Sequence, residues 1–234
     1  MLSPFIVKVF EILPDKMVLY IGRKVLNNYL KKYANISIEG FDNASKVEGP
    51  VIFVCNHLSN SDGLILSKVL KEKYDPYFVA GVKLNGDPIT KMGMDIVKHI
   101  AIKPDSADKE AINKIVKSVK AGENLLIFPE GTRSRTGAMI EGKKGILLIA
   151  RLTKAMIVPI GMSGTDKLLP IGKDGNMGGE EWHNSDVNIK FGEPISLPKK
   201  EKEESKHEYE ERCMNTIMKS IAVLLPESYR GVYK

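Results

Sequence analysis

One histidine and one aspartate, five positions apart, follow an apolar segment at residues 51–55. They are His57 and Asp62. A carboxylate that accepts a hydrogen bond from an imidazole fixes its tautomer and leaves the other ring nitrogen to take a proton from a hydroxyl group. The pair therefore predicts general-base chemistry on an alcohol, provided that the fold brings the two side chains together.

The chain must turn between His57 and Asp62 for these side chains to meet. The same separation along a helix corresponds to about 140° around the axis and about 7.5 Å along it, so a continuous helix would keep them apart. Ser59, Asn60 and Ser61 lie between them, and these residue types favour turns and helix N-caps. The short apolar run before them is typical of a buried strand, and open α/β sheets bind ligands at the carboxyl ends of such strands.

A second polar cluster, residues 128–135 (FPEGTRSR), follows another apolar segment. The guanidinium groups of Arg133 and Arg135 match phosphate oxygens, and Gly131 allows backbone amides to approach a ligand. A charged surface turn would have a similar composition. The residues alone leave both interpretations open, and for a lone Arg-Ser-Arg the surface turn would be favoured.

Both clusters resemble motifs of the glycerolipid acyltransferases, a family that includes the lysophosphatidic acid (1-acylglycerol-3-phosphate) acyltransferases. Residues 56–62 resemble the first motif, Asn-His-x4-Asp, and residues 130–134 resemble the Glu-Gly-Thr-Arg-Ser motif, in the family's order and about seventy residues apart. Residues 143–145 are similar to a Lys-x-Gly helix start, and residues 158–160 to the fourth motif. The resemblance spans residues 36–165 approximately.

The resemblance implies transfer of a fatty acyl group from acyl-CoA or acyl carrier protein to the sn-2 hydroxyl of 1-acylglycerol 3-phosphate. The product would be phosphatidic acid, a precursor in phospholipid biosynthesis. His57 would be the base and Asp62 its orienting partner. The substrate-binding residues would be Glu130, Gly131, Thr132, Arg133, Arg135 and Lys103. The resemblance implies no cofactor and no metal.

Lys103 departs from the family pattern, in which the second motif ends in an arginine that helps to bind the substrate phosphate. The corresponding apolar segment here, residues 99–102, is followed by a lysine. Lysine supplies the charge without the bidentate fork. The acceptor therefore stays open between lysophosphatidic acid, which the other motif favours, and glycerol 3-phosphate, dihydroxyacetone phosphate or another lysolipid.

Cys55 offers a different chemistry, because residues two apart on a strand share a face and Cys55 and His57 are so spaced. A cysteine acyl-enzyme would follow from their contact. The apolar strand favours a structural, buried cysteine instead.

Two other function classes compete with acyl transfer to a lipid. A hydrolase would pass the acyl group to water, but the sequence lacks the Gly-x-Ser-x-Gly elbow of α/β-hydrolases. A non-enzymatic lipid- or nucleic-acid-binding module would explain the basic charge. It would give no reason for a base and its orienting partner to stand together after a strand.

The remaining segments predict the elements that position the clusters. Strands alternate with helices, which indicates one α/β domain at residues 34–234 with a mixed, largely parallel sheet flanked by helices. The expected strands are 36–38, 51–55, 77–80, 99–102, 125–128, 157–160 and 187–191. The expected helices are 63–73, 106–121 and 142–154, with a last helical stripe at 213–225 and a surface loop at 161–179. Pro159 suggests an edge strand or a strand end.

The first 33 residues form a basic, amphipathic segment of two helices separated by Pro14. Six basic and two acidic residues give this segment a charge of +4, out of +6 for the chain. Such helices either pack on the domain or lie in the interface of an anionic membrane. No apolar run is long enough to span a bilayer, and two cysteines favour a reducing compartment. We expect a peripheral or monotopic enzyme on the cytoplasmic face of the cell membrane, with no nucleic-acid partner.

Overall fold

A computed structural model describes residues 14–81, 96–103, 108–172 and 179–234. Its strands are β1 (Ala34–Glu39), β2 (Val51–Cys55), β3 (Tyr77–Gly81), β4 (His99–Ile102), β5 (Leu125–Ile127), β6 (Met156–Ser163) and β7 (Ser185–Phe191). Its α-helices are α1 (Asp15–Tyr33), α2 (Ser61–Leu70), α3 (Lys109–Lys120), α4 (Gly145–Thr153), α5 (Thr165–Leu168) and α6 (Lys206–Ala222). Short 3-10 helices lie at Phe41–Lys46, Glu227–Tyr229 and Gly231–Tyr233.

The strands form a single sheet in the order β1-β7-β6-β2-β5-β3-β4. The five strands from β6 to β4 in this order run parallel to one another. β7 is antiparallel to β6, and β1 is parallel to β7. The sheet is therefore mixed and largely parallel, as predicted. We call the side of the sheet where β2, β5 and β6 end the carboxyl edge. β1 runs in the opposite direction, so it begins at the carboxyl edge, and α1, which precedes it, ends there.

β2 is buried on both faces, since its five residues are at most 2% exposed. Ile52 and Val54 pack on one side with residues from α3, α4 and α6. Phe53 packs on the other side with residues from α1 and α2. Apolar side chains on both faces explain the unbroken apolar run in the sequence, which is typical of parallel sheets covered by helices. The helical stripe at the C-terminus is likewise buried in α6 (Cys213, Met214, Ile217, Met218 and Ile221).

The prediction of a surface loop at 161–179 is wrong in its first half. β6 continues to Ser163, and a turn at Gly164, where φ is +89°, leads into the short helix α5. Leu168 and Leu169 are buried. The glycines in this stretch suggested a loop, but one of them makes a tight turn between two ordered elements.

The prediction that Pro159 marks an edge strand or a strand end is also wrong, because β6 lies between β2 and β7 and continues to Ser163. The carbonyl of Pro159 accepts a hydrogen bond from Gly192 N at 2.8 Å, so its ring nitrogen faces the same side of β6. Pairing with β7 begins only at Ile160. The missing N–H group of proline therefore lies where the β6–β7 ladder has ended.

α1 contacts the domain with one side and solvent with the other. Leu30 is 1% exposed and belongs to the core, whereas Met17, Tyr20, Val25 and Tyr29 are exposed apolar residues. The helix thus packs on the domain, and it also presents exposed apolar and basic residues; its place in a membrane interface stays a prediction. The first predicted helix, at residues 4–13, lies outside the described residues. Within the part of the chain that the structure describes, no helix is long and apolar enough to cross a membrane.

Candidate active site

The turn between β2 and α2, residues 56–60, is anchored to neighbouring elements at the carboxyl edge. Asn56 is buried and exchanges two hydrogen bonds with the backbone of Met162 in β6, each 2.8 Å long. The Ser59 hydroxyl donates to Leu169 O at 2.8 Å. Because α2 begins at Ser61 rather than at Gly63, Asp62 lies in its first turn. The predicted strand–turn–helix unit is present.

His57 and Asp62 form a hydrogen bond of 2.7 Å between Nδ1 and Oδ2. The same Asp62 oxygen accepts from the amides of Leu58, at 2.6 Å, and Ser59, at 2.8 Å. Asp62 is completely buried, while the His57 side chain is 20% exposed. A carboxylate partner makes Nδ1 the protonated nitrogen of the neutral imidazole, so Nε2 is the nitrogen that can accept a proton.

The imidazole of His57 stacks on the ring of Phe128, with centroids 4.1 Å apart and planes 15° apart. Phe128 follows β5, the strand next to β2. The stacking holds one face of the ring, and the Asp62 hydrogen bond holds its Nδ1 edge. The orientation of His57 is therefore defined by two separate contacts.

Glu130 connects the two sequence clusters. It is 1% exposed; Oε1 accepts from His57 N and Oε2 from Ile140 N, each at 2.9 Å. The pKa of Glu130 is raised to about 7, mainly by burial. The two amide donors oppose this rise, and the charge of Asp62 adds to it. The Glu130 carboxylate thus fixes the backbone of His57, and the substrate contact predicted from the sequence stays a prediction.

The other predicted substrate-binding residues lie in the second cluster or directly after β4. Gly131 adopts the left-handed conformation with φ of +68°, and a Cβ atom there would lie 2.9 Å from Cδ of Lys143. Thr132 and Arg135 are exposed. Lys103 is exposed at the end of β4, three strand positions from β2 and thus about 14 Å away across the sheet.

Arg133 is held by a residue that the sequence analysis missed. Its Nη1 donates to Oε1 of Glu180 at 3.1 Å, and Asn60 Nδ2 donates to Oε2 of the same carboxylate at 2.6 Å. The Glu180 side chain is completely buried and that of Arg133 is 15% exposed. Glu180 follows a glycine-rich stretch, and no spacing in the sequence links it to either cluster.

Cys55 is fully buried in β2. Burial raises the pKa of its thiol well above the ordinary value, and the charges of Asp62 and Glu130 raise it further. A raised pKa disfavours the thiolate that a cysteine nucleophile requires, which supports the structural interpretation. Across the described ranges, no group of three or more His, Cys, Asp or Glu residues is arranged to hold a metal ion.

The chain is similar to several named proteins. It is 27% identical over 165 residues to the chloroplastic 1-acyl-sn-glycerol-3-phosphate acyltransferase LPAT1 of Arabidopsis thaliana, covering 70% of this chain and 44% of that protein. It is 33% identical over 135 residues to the 1-acyl-sn-glycerol-3-phosphate acyltransferase of Cocos nucifera, covering 56% of this chain and 42% of that protein. The chain thus spans a little under half the length of these two relatives.

The fold is also found in a crystal structure, that of the 1-acyl-sn-glycerophosphate (LPA) acyltransferase PlsC from Thermotoga maritima. The two folds match with a TM-score of 0.62 at 23% sequence identity, over 94% of this chain and 87% of the other. A family model described as Acyltransferase matches residues 35–163, more than half of the chain and inclusive of both clusters. The chain therefore belongs to the acyltransferase family.

Proposed function

We propose that the protein transfers a fatty acyl group from a thioester to the sn-2 hydroxyl of 1-acylglycerol 3-phosphate, which gives phosphatidic acid. The observation that carries this proposal is the 2.7 Å hydrogen bond between His57 and Asp62 at the carboxyl edge. The names of the relatives from Arabidopsis thaliana and Cocos nucifera support this choice of acceptor.

In the proposed reaction His57 acts as the general base. Nε2 takes the proton of the acceptor hydroxyl while the oxygen attacks the thioester carbonyl carbon, and Asp62 holds the imidazolium that forms. The tetrahedral intermediate then collapses, the C–S bond breaks, and the departing thiolate takes the proton from His57. A thioester has a good leaving group, so this sequence needs no covalent enzyme intermediate.

Stabilisation of the oxyanion requires donors other than the amides beside His57. The amide of His57 donates to Glu130, and those of Leu58 and Ser59 donate to Asp62. These three N–H groups are therefore occupied by carboxylates. We expect the oxyanion to be bound by other groups at the carboxyl edge.

Arg133 is the proposed main contact of the acceptor phosphate. Only Nη1 of its guanidinium makes a hydrogen bond with the described residues, so Nη2 and Nε can donate to phosphate oxygens. Gly131 and Thr132 would line this headgroup site, and Arg135 and Lys103 would add positive charge at the same edge. Glu130 would act by holding the backbone of His57 in place.

The acyl donor would be acyl-CoA or acyl carrier protein, with no cofactor. The proposed location is the anionic cytoplasmic face of the cell membrane, where the protein would be peripheral or monotopic, held by residues 1–33. α1 exposes Tyr20 and Val25 beside Arg23 and Lys24. Because α1 ends at the carboxyl edge, an interfacial helix would bring that edge near the lipid acceptor.

Thiol release from acyl-CoA by the purified protein, with and without lysophosphatidic acid, tests this function. His57→Ala is the inactive variant, and His207→Ala, on the exposed side of α6, is its matched control. We expect release that requires lysophosphatidic acid and is lost only in His57→Ala. Glycerol 3-phosphate and lysophosphatidylcholine as alternative acceptors measure the specificity for the phosphate monoester.

Three outcomes would change the proposal. Release without any acceptor would indicate a thioesterase. Faster turnover with glycerol 3-phosphate than with lysophosphatidic acid would make glycerol 3-phosphate the proposed acceptor. Absence of transfer from both acyl-CoA and acyl carrier protein would refute the enzyme and leave a lipid-binding module.

A further inference from the structure

Glu180 joins the two sequence clusters from a third segment of the chain. Its carboxylate accepts from Asn60, in the turn before α2, at 2.6 Å and from Arg133 at 3.1 Å. Asn60 is 120 positions away and Arg133 is 47 positions away. One side chain thus connects the turn that carries His57 and Asp62 with the proposed phosphate-binding arginine.

Burial of a carboxylate without partners is strongly unfavourable, so a completely buried glutamate must be held by donors. Here Asn60 supplies one donor and Arg133 supplies the other, each to a different oxygen. The Arg133 side chain is 15% exposed and the carboxylate is not exposed at all. A ligand from solvent can therefore reach Arg133 while Glu180 stays buried.

We propose that Glu180 is a positioning residue that orients the guanidinium of Arg133 toward the acceptor phosphate. This inference rests on the proposed function and adds to it a residue that does not touch the substrate. A long arginine side chain has many rotamers, and fixing it before substrate arrives removes part of the entropy cost of binding. Because the same carboxylate also binds Asn60, it fixes the position of Arg133 relative to the turn that carries His57.

An alternative is that the Glu180 carboxylate occupies the place of the substrate phosphate. The substrate would then have to displace Glu180 from Arg133. Two observations oppose it. The side chain is completely buried, and its second oxygen holds Asn60. Displacement would leave both the carboxylate and the Asn60 amide without these partners.

A double-mutant cycle on Glu180 and Arg133 tests the inference in the full-length protein. The variants are Glu180→Gln, Arg133→Gln and the pair, with exposed Glu181→Gln as the matched control. The measured quantities are KM for lysophosphatidic acid, KM for acyl-CoA and kcat. We expect Glu180→Gln to raise KM for lysophosphatidic acid roughly tenfold, the scale of one charge-assisted hydrogen bond, without changing KM for acyl-CoA.

The interaction between the two substitutions separates positioning from a general structural effect. If Glu180 acts through Arg133, Glu180→Gln adds no further loss in the Arg133→Gln background. An equal loss in both backgrounds, with a matching rise in KM for acyl-CoA, would overturn the inference. A lower KM for lysophosphatidic acid in Glu180→Gln would also overturn it, in favour of the alternative that Glu180 occupies the place of the phosphate.

Glu180→Asp provides a second variant if Glu180→Gln does not fold. It keeps the negative charge on a shorter side chain. We therefore expect KM for lysophosphatidic acid to rise by less than the roughly tenfold expected for Glu180→Gln. A rise of the same size for both substrates would overturn the inference. Failure of the proposed function is distinguishable, because the wild-type protein itself would then show no transfer to lysophosphatidic acid.

Discussion

The Oδ2 oxygen of Asp62 lies 2.7 Å from Nδ1 of His57 and accepts the amide hydrogens of Leu58 and Ser59 as well. A single oxygen therefore holds the imidazole and the backbone of the turn that carries it. Orientation of the base and stability of the turn depend on the same side chain. This dependence separates the expected effects of two substitutions at position 62.

We expect Asp62→Asn to lower kcat by about a hundredfold or more and to lower the unfolding free energy less than Asp62→Ala does. The amide oxygen of asparagine can take the place of Oδ2 and accept from Leu58, Ser59 and His57. The negative charge that stabilises the imidazolium is lost. Steady-state kinetics and urea unfolding measure the two effects.

Asp62→Ala serves as the comparison, because it leaves the buried amides of Leu58 and Ser59 without an acceptor. We expect this variant to lose about 1–3 kcal/mol of unfolding free energy per amide in addition to its activity. Equal stability losses in the asparagine and alanine variants would contradict the shared role of Oδ2.

Glu130 makes part of the stability depend on pH. Its pKa is raised by burial from 4.5 to about 7, so the folded state binds the proton more tightly than the unfolded state. The contribution of protonated Glu130 to the unfolding free energy is fully present below pH 4.5 and is lost as pH rises through 7. Linkage gives a change on the order of 3 kcal/mol.

We expect the unfolding free energy of the wild type relative to Glu130→Gln to fall between acid and neutral pH. Urea unfolding at several pH values measures this difference, in which the titration of other groups cancels. Glu141→Gln, at an exposed position eleven residues further on, is the matched control for the loss of one glutamate charge. Parallel curves for Glu130→Gln and the wild type would refute the role of burial.

The local parts of the site follow from the sequence because they depend on neighbouring residues. An apolar run followed by turn-forming residues predicts that β2 ends before His57 and that Asp62 folds back onto it. Parallel strands end at one edge, which brings the cluster that follows β5 next to the end of β2, and Ser134 N donates to His57 O at 2.8 Å.

The parts that could not be predicted depend on packing between distant segments. Glu130 belongs to a charged cluster with the composition of a surface turn. Its carboxylate is nevertheless buried, because the backbone amides of His57 and Ile140 donate to it. Glu180 reaches the site only because the chain returns between α5 and β7. Pro159 is tolerated inside the sheet because β7 has ended beside it, which no feature near Pro159 in the sequence indicates.

Gly131→Ala should destabilise the loop of the second cluster. The left-handed φ of +68° costs an L-residue about 1–2 kcal/mol, and the added Cβ would press on the side chain of Lys143. Gly145→Ala is the matched control: Gly145 begins α4, and a Cβ there meets no atom within 4 Å. We expect the control to keep or increase the unfolding free energy, and equal changes in both variants would contradict the argument.

The outer side of α1 should bind anionic membranes, and point substitutions test this better than deletion. Leu30 belongs to the core, so removal of the helix would also damage the domain. We expect Arg23→Gln with Lys24→Gln to weaken co-sedimentation with phosphatidylcholine–phosphatidylglycerol vesicles about thirtyfold, since each basic residue near the surface contributes about 1 kcal/mol. The difference should shrink at high salt because the charges are screened.

A second pair of exposed lysines, Lys114 and Lys117 on α3, separates a binding surface from an effect of net charge. Substitution of both by glutamine removes the same charge from another helix. We expect this control to retain nearly all of the vesicle binding, because α1, unlike α3, combines basic residues with the exposed apolar side chains of Tyr20 and Val25. Equal losses from the two pairs would mean that overall charge, rather than the outer side of α1, attracts the protein to the membrane.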